Sequence, residues 1–233
     1  FLYLRSALCY GLGIYEARTK VILGRLFNKL SVPENVLDPS NAKQWEEYFL
    51  LALMSGNLKN VAAAVPLVSS QSERIRLELR QSVASEHTLH ELRRWSPRNL
   101  AVLHASLALI DACTGCAQAF LRGEVHLFEQ AQTAFKIAIS TVRKISDYQF
   151  EWTIRTFHKV IIHMWADSPW IRLGELIPRR AYLRKLVEDG IVMLWSSQIA
   201  ALEMQSKSGP LPGGYLNEES KRVIMHMPTS AGK

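Results

Sequence analysis

Along most of the chain, apolar side chains recur at spacings of three and four. From Glu124, the residues Leu127, Phe128, Ala131, Phe135, Ala138 and Val142 fall on one helical face. In the segment beginning near Ser72, Ile75, Leu79, Val83, Leu89 and Leu92 follow the same spacing or its multiples. Helix starts are signposted. "SVPE" at Ser31 and "SQSE" at Ser70 have the spacing in which a serine caps a helix and a glutamate reaches back to it. Ser96–Pro97 and Ser168–Pro169 each set a capping serine before a proline suited to a first helical turn. The stretch "LRGEVHLFEQAQTAFKIAI" reads as a helical hairpin, with a glycine at the turn, small residues where helices touch and an alanine-rich second helix. No fixed repeat length runs through the chain, so residues 1 to about 190 predict a mainly α, α-solenoid-like stack of irregular helical hairpins.

The most apolar stretch, Leu100 to Leu121, carries His104, Asp111 and Gln118 and many small residues. Crossing a bilayer takes roughly 20 predominantly apolar residues. The interruptions predict instead a buried helix of the stack, with no membrane partner.

The pattern changes near Gln205. "SKSGPLPGGYLNEES", Ser206 to Ser220, is rich in glycine and proline and predicts a loop. "KRVIMHM" then alternates and is built from β-compatible residues, predicting a short strand. A lone strand cannot satisfy its backbone partners, so the expectation is a sheet completed beyond residue 233. Residues 191–233 are therefore expected to open a second, α/β domain after the helical one.

Composition changes this picture little. A hydrophobic content of 48% beside 21% charged residues fits a globular chain with a substantial core. The formal charge of +7 favours polyanionic partners only mildly, because the charge is spread along the sequence. Three cysteines, Cys9, Cys113 and Cys116, do not make a disulfide framework, which points to a reducing cytoplasm.

The strongest chemical signal is "MPTSAGK", Met227 to Lys233, following the expected strand. In a phosphate-binding loop the backbone N–H groups point at the phosphates, glycine permits close approach, and a lysine reaches the β- and γ-phosphates. Gly232 and Lys233 stand in that order after the small residues Thr229, Ser230 and Ala231. The general pattern GxxxxGK would place glycine at 227, where Met227 stands, and that departure counts against an ordinary P-loop ATPase or small GTPase. The segment instead resembles motif I of the DEAD/DEAH-box helicases of superfamily two. "LWSSQIAAL", Leu194 to Leu202, resembles the Q motif of the same family, with Gln198 at the position of its glutamine. The spacing from Gln198 to Lys233 is longer than the family's, and the loop at Ser206 to Ser220 would be an insertion.

The resemblance covers only about the last 40 residues. It implies a RecA-like domain that binds ATP and Mg²⁺ and couples hydrolysis to movement on DNA or RNA. It implies that the backbone of Thr229, Ser230, Ala231 and Gly232 cradles the phosphates, that Lys233 stabilises the transferring phosphoryl group, and that Gln198 reads the adenine edge. The chain is then expected to be the amino-terminal part of an ATP-dependent helicase or translocase. It is expected to be inactive by itself, because the family's Mg²⁺-binding hydroxyl would be residue 234. Two other readings stand beside this one. The first is a non-enzymatic helical scaffold for protein partners, with "PTSAGK" as a tail. The second is another class of P-loop enzyme.

Other candidates are weaker. Cys113 and Cys116 form a CxxC that could be a redox pair or half a zinc site, but no second pair stands at suitable spacing, and they read as buried structural cysteines. His87 and His90 read as surface histidines, and His158 and His163, five apart, point in different directions on a helix. His226 lies in the expected strand. No nucleophile–base–acid set is evident. Two basic–aromatic clusters suit a single nucleic-acid strand: Arg93, Arg94, Trp95 and Arg98, and then Arg179, Arg180, Tyr182, Arg184 and Lys185. The plainer reading of each is a solvated helix end beside a core aromatic. The second is the better candidate because it lies nearest the expected motor.

Overall fold

A computed structural model describes residues 97–177 and 179–203, the helical residues Ser72, Glu73, Arg76, Leu77 and Arg80, and the backbone at 205–206 and 209–210. These residues are mainly helical. The chain divides into two compact units, Phe1–Ile161 and Ile162–Lys233. The division expected near residue 190 falls inside the second unit.

In the first unit, α1 (Pro97–Arg122) packs against α2 (Val125–Lys144) as a helical hairpin. Pro97 opens α1, as the Ser-Pro signal predicts; Ser96, the signal at Ser31 and Ser70 itself lie outside the described residues, while Ser72 and Glu73 are helical. The turn is Gly123, whose φ of 69° is the left-handed conformation that glycine adopts without a Cβ penalty. Its N–H closes on the Ala119 carbonyl at 2.7 Å. α1 is long and apolar enough to cross a bilayer by length and composition alone. In the hairpin it is a core helix: Ala105, Leu109, Ala112, Cys113, Cys116, Ala117, Ala119 and Phe120 are buried. Its Asp111 is ion-paired to Arg76.

The facing stripe of α2 is the one its periodicity predicts, with Phe128, Ala131, Phe135, Ala138 and Val142 buried. The helices approach closely where Gly115 meets Ala131. A Cβ on Gly115 would stand 3.0 Å from that of Ala131.

α3 (Tyr148–Ala166) follows a short turn in which Ser146 holds a φ of 57°. Asp147 caps it, its Oδ1 accepting the Phe150 N–H at 3.1 Å. The Phe135 ring of α2 meets Phe157 at 5.6 Å and stacks on His158 at 4.8 Å. At the turn, Glu151 accepts from Arg143 at 3.2 Å and from Arg155 at 2.7 Å.

The second unit is built from short pieces. These are α4 (Pro169–Arg172), α5 (Arg180–Glu188) and α6 (Ser196–Leu202). Leu173, Leu183, Leu194 and Leu202 form their buried centre, with Trp170, Ile177, Leu186 and Ile199 packed around it. Gly190, with φ 93°, turns the chain after α5. After α6 the backbone makes a minimal antiparallel pair, β1 (Gln205–Ser206) with β2 (Gly209–Pro210). That pair opens the segment expected as a loop. The strand expected at 221–227 lies outside the described residues.

Candidate functional site

Of the residues expected to hold ATP, Thr229, Ser230, Ala231, Gly232 and Lys233 lie outside the described residues, as does His226. Gln198 is described. It occupies the third position of α6, in the first turn, three residues after Trp195 at the N-cap. Its Oε1 accepts the Trp195 backbone N–H at 2.8 Å, and its own N–H donates to the Trp195 carbonyl at 2.8 Å. This is the reciprocal half of a capping box. An indole has no acceptor to complete the other half. The cap engages the carboxamide oxygen. The side chain is half-buried.

α6 is tied down at both ends. At its entrance the Leu194 N–H donates to the Asp167 carbonyl at 2.7 Å. At its exit Glu203 accepts from Arg172 Nη1 at 3.1 Å. The same guanidinium grips Asp167 Oδ1 through Nε at 3.1 Å and Nη2 at 2.7 Å. The Asp167 side chain is only 9% accessible, so this charge is compensated chiefly by Arg172. The Nε2 of His163 lies 3.5 Å from the second Asp167 oxygen without hydrogen-bond alignment.

Beside this cluster, Ser168 takes the N-cap position that the sequence assigns it, with Pro169 first in the helix. Its hydroxyl, however, makes no capping bond. It is wholly buried and has no hydrogen-bond partner among the described residues, while its carbonyl accepts from Ile171 and Arg172 at 3.1 and 2.9 Å. The N–H at the third helical position, Ile171, goes to the Ser168 carbonyl rather than to its hydroxyl.

The basic cluster of α5 is split by the fold. Arg184 faces Glu188 at 3.7 Å and Lys185 bonds Asp189 at 2.7 Å, both one helical turn on. The bond to Asp189, then its charge, raises the Lys185 ammonium above its ordinary pKa. Arg180 lies 5.8 Å over the Trp170 ring, and Tyr182 is 58% exposed. Arg179 is exposed at the N-cap and forms no ion pair among the described residues. Of the first cluster only Arg98 is described, and it is exposed.

Cys113 and Cys116 are both buried free thiols, and burial pushes the Cys116 thiol well above its usual pKa. No group of three possible metal ligands occurs among the described residues. His158 stacks on Phe135, and burial followed by the nearby Lys136 charge lowers its pKa.

Sequence reasoning missed the Asp167–Arg172–Glu203 chain. Its partners lie 5 and 31 residues apart, and no periodicity marks them. Compared with protein-family models, curated proteins and solved structures, the chain returns no match.

Proposed function

We propose that the chain carries the amino-terminal part of an ATP-dependent nucleic-acid helicase or translocase, with residues 191–233 opening a RecA-like ATP-binding domain. The reading rests on one observation: "LWSSQIAAL" and "MPTSAGK" occur in the order in which superfamily-two helicases carry their Q motif and motif I. The position of Gln198, braced in the first turn of a helix after an aromatic residue, supports it. In this mechanism the Thr229–Gly232 backbone cradles the phosphates and Lys233 stabilises charge on the transferring group. Gln198 selects adenine by donating to one ring position and accepting from its amino group. In the family a hydroxyl residue after the lysine holds Mg²⁺, which would neutralise further phosphate charge when bound.

Nucleic acid is the proposed track. The exposed Arg179 and Tyr182, with Arg180 over Trp170, are the contact surface of choice on α5. Arg184 and Lys185, already paired to carboxylates, contribute less.

The test uses the protein read through the complete loop. Lys233→Ala is expected to cut ATP turnover by about a hundredfold or more. Gln198→Ala should erode the preference for ATP over GTP. ATP turnover that survives Lys233→Ala defeats the proposal. The coding sequence provides an independent check. A Ser or Thr codon at 234, followed by an apolar strand ending in an acidic pair, is expected. A stop codon there favours the alternative, a helical scaffold for protein partners. The exposed Tyr148 and Trp152 on α3 would suit that role.

A further inference from the structure

We infer that Asp167 and Arg172 are positioning residues: together they form a strap that fixes both ends of the helix bearing Gln198. The consequence for adenine selection rests on the function proposed above; the strap itself does not.

α6 has seven residues, fewer than two turns, and a helix that short does not hold itself in water. Its apolar residues Ile199 and Leu202 pack into the small leucine centre, but apolar contact is non-directional and does not by itself fix the helix ends. The polar ties remove that freedom. The Asp167 carbonyl receives the Leu194 N–H one residue before the Trp195 cap. The Asp167 carboxylate holds Arg172, and Arg172 reaches Glu203 immediately after the last turn. Entrance and exit are thus referenced to a single nearly buried residue. Gln198 in turn is bonded to the Trp195 N–H, so a shift at the entrance displaces the amide directly.

The chemistry ranks the members. Arg172 presents three N–H groups from one planar fork, which a lysine point charge cannot reproduce. Glu203 is 61% exposed, so its link is the weaker one.

Backbone hydrogen exchange on the chain itself tests this without nucleotide. Arg172→Met is expected to speed exchange at Gln198, Ile199 and Glu203 by about tenfold, while α2 stays protected. Arg172→Lys should lie between Arg172→Met and wild type, and Glu203→Gln closer to wild type. If Arg172→Met does not fold, Arg172→Lys carries the same comparison, with an expected rise of about threefold. Unchanged exchange in α6, or an equal rise in α2 and α6, overturns the strap.

A second readout separates this idea from the function itself. In the protein with a complete loop, Arg172→Met should raise KM for ATP several-fold more than it lowers kcat. Faster α6 exchange with intact preference for ATP upholds the strap and removes Gln198 as the adenine reader.

Discussion

The α1–α2 hairpin and the segment from Ile162 to Glu203 are held together by different physics. The hairpin buries alanines, cysteines and phenylalanines along two long helices, close enough that Gly115 and Ala131 nearly touch. The second segment has helices of four, nine and seven residues around four leucines, and its ends are tied by Arg172, Asp167 and Glu203. Dispersion and apolar burial are non-directional and add along a helix. Hydrogen-bonded charges are directional and can be exchanged for other partners. The first arrangement holds two long helices along their length; the second holds a short helix in one orientation by its ends.

Truncation should show the contrast most strongly. Phe135 is fully buried and touches two rings on α3, so Phe135→Ala is expected to cost about 3–5 kcal/mol in denaturant unfolding. Leu183→Ala, in a small leucine centre whose neighbours can close in, should cost nearer to about 2 kcal/mol. A larger loss at Leu183 than at Phe135 would break the comparison.

The two regions also differ in how much the sequence reveals of them. In α2 the period of the apolar residues named the buried stripe, and the glycine before it named the turn, because a long amphipathic helix writes its packing into its own spacing. α1 passes for a bilayer span by length and composition, and what marked it for the core in the sequence was its many small residues and the interrupting His104, Asp111 and Gln118. In the second segment only helix starts were readable. The Ser168–Pro169 signal placed the start of α4 but not the fate of the hydroxyl, which tertiary burial decides. The α5 cations looked alike in the sequence. Four-residue spacing to Glu188 and Asp189 could have separated Arg184 and Lys185 from Arg179 and Arg180, but the Arg180–Trp170 contact depends on how α4 and α5 pack. Of the proposed nucleotide site, Gln198 was legible as a residue opening a helix, and its role as a cap was not.

Two glycines in close contact sharpen the contrast at smaller amplitude. A Cβ on Gly174 would meet the Trp170 carbonyl oxygen at 2.3 Å, and backbone must move to admit it. Gly174→Ala is expected to cost about 1–3 kcal/mol and to disturb the ring beneath Arg180. Gly115→Ala meets only a methyl group at 3.0 Å and gains helix propensity, so the two terms should nearly cancel, within about 1 kcal/mol. Thermal melts of both variants decide this, and a Gly115→Ala loss exceeding that of Gly174→Ala would mean that the hairpin is the less forgiving region.

The smallest effect expected is a pH slope confined to the first unit. Burial, then the charge of Lys136, lowers the pKa of His158 below its ordinary value, while its ring stacks on Phe135. The unfolded chain titrates this imidazole near its usual value of about 6.5. As pH falls below that value toward the lowered folded pKa, the unfolded state takes up a proton that the folded state refuses. Stability is therefore fully present above the unfolded pKa and declines on acidification through that window. His158→Phe keeps an aromatic ring in the stack and removes the proton. The difference between the melting temperatures of wild type and His158→Phe should be constant at pH 7 and above and should move in favour of the variant as pH drops toward 5. Subtracting the two curves cancels the pH dependence common to both proteins. A difference that stays flat across the range would show that this imidazole is no harder to charge in the folded protein than in water, and the packing of α2 on α3 would then be wetter than its rings suggest.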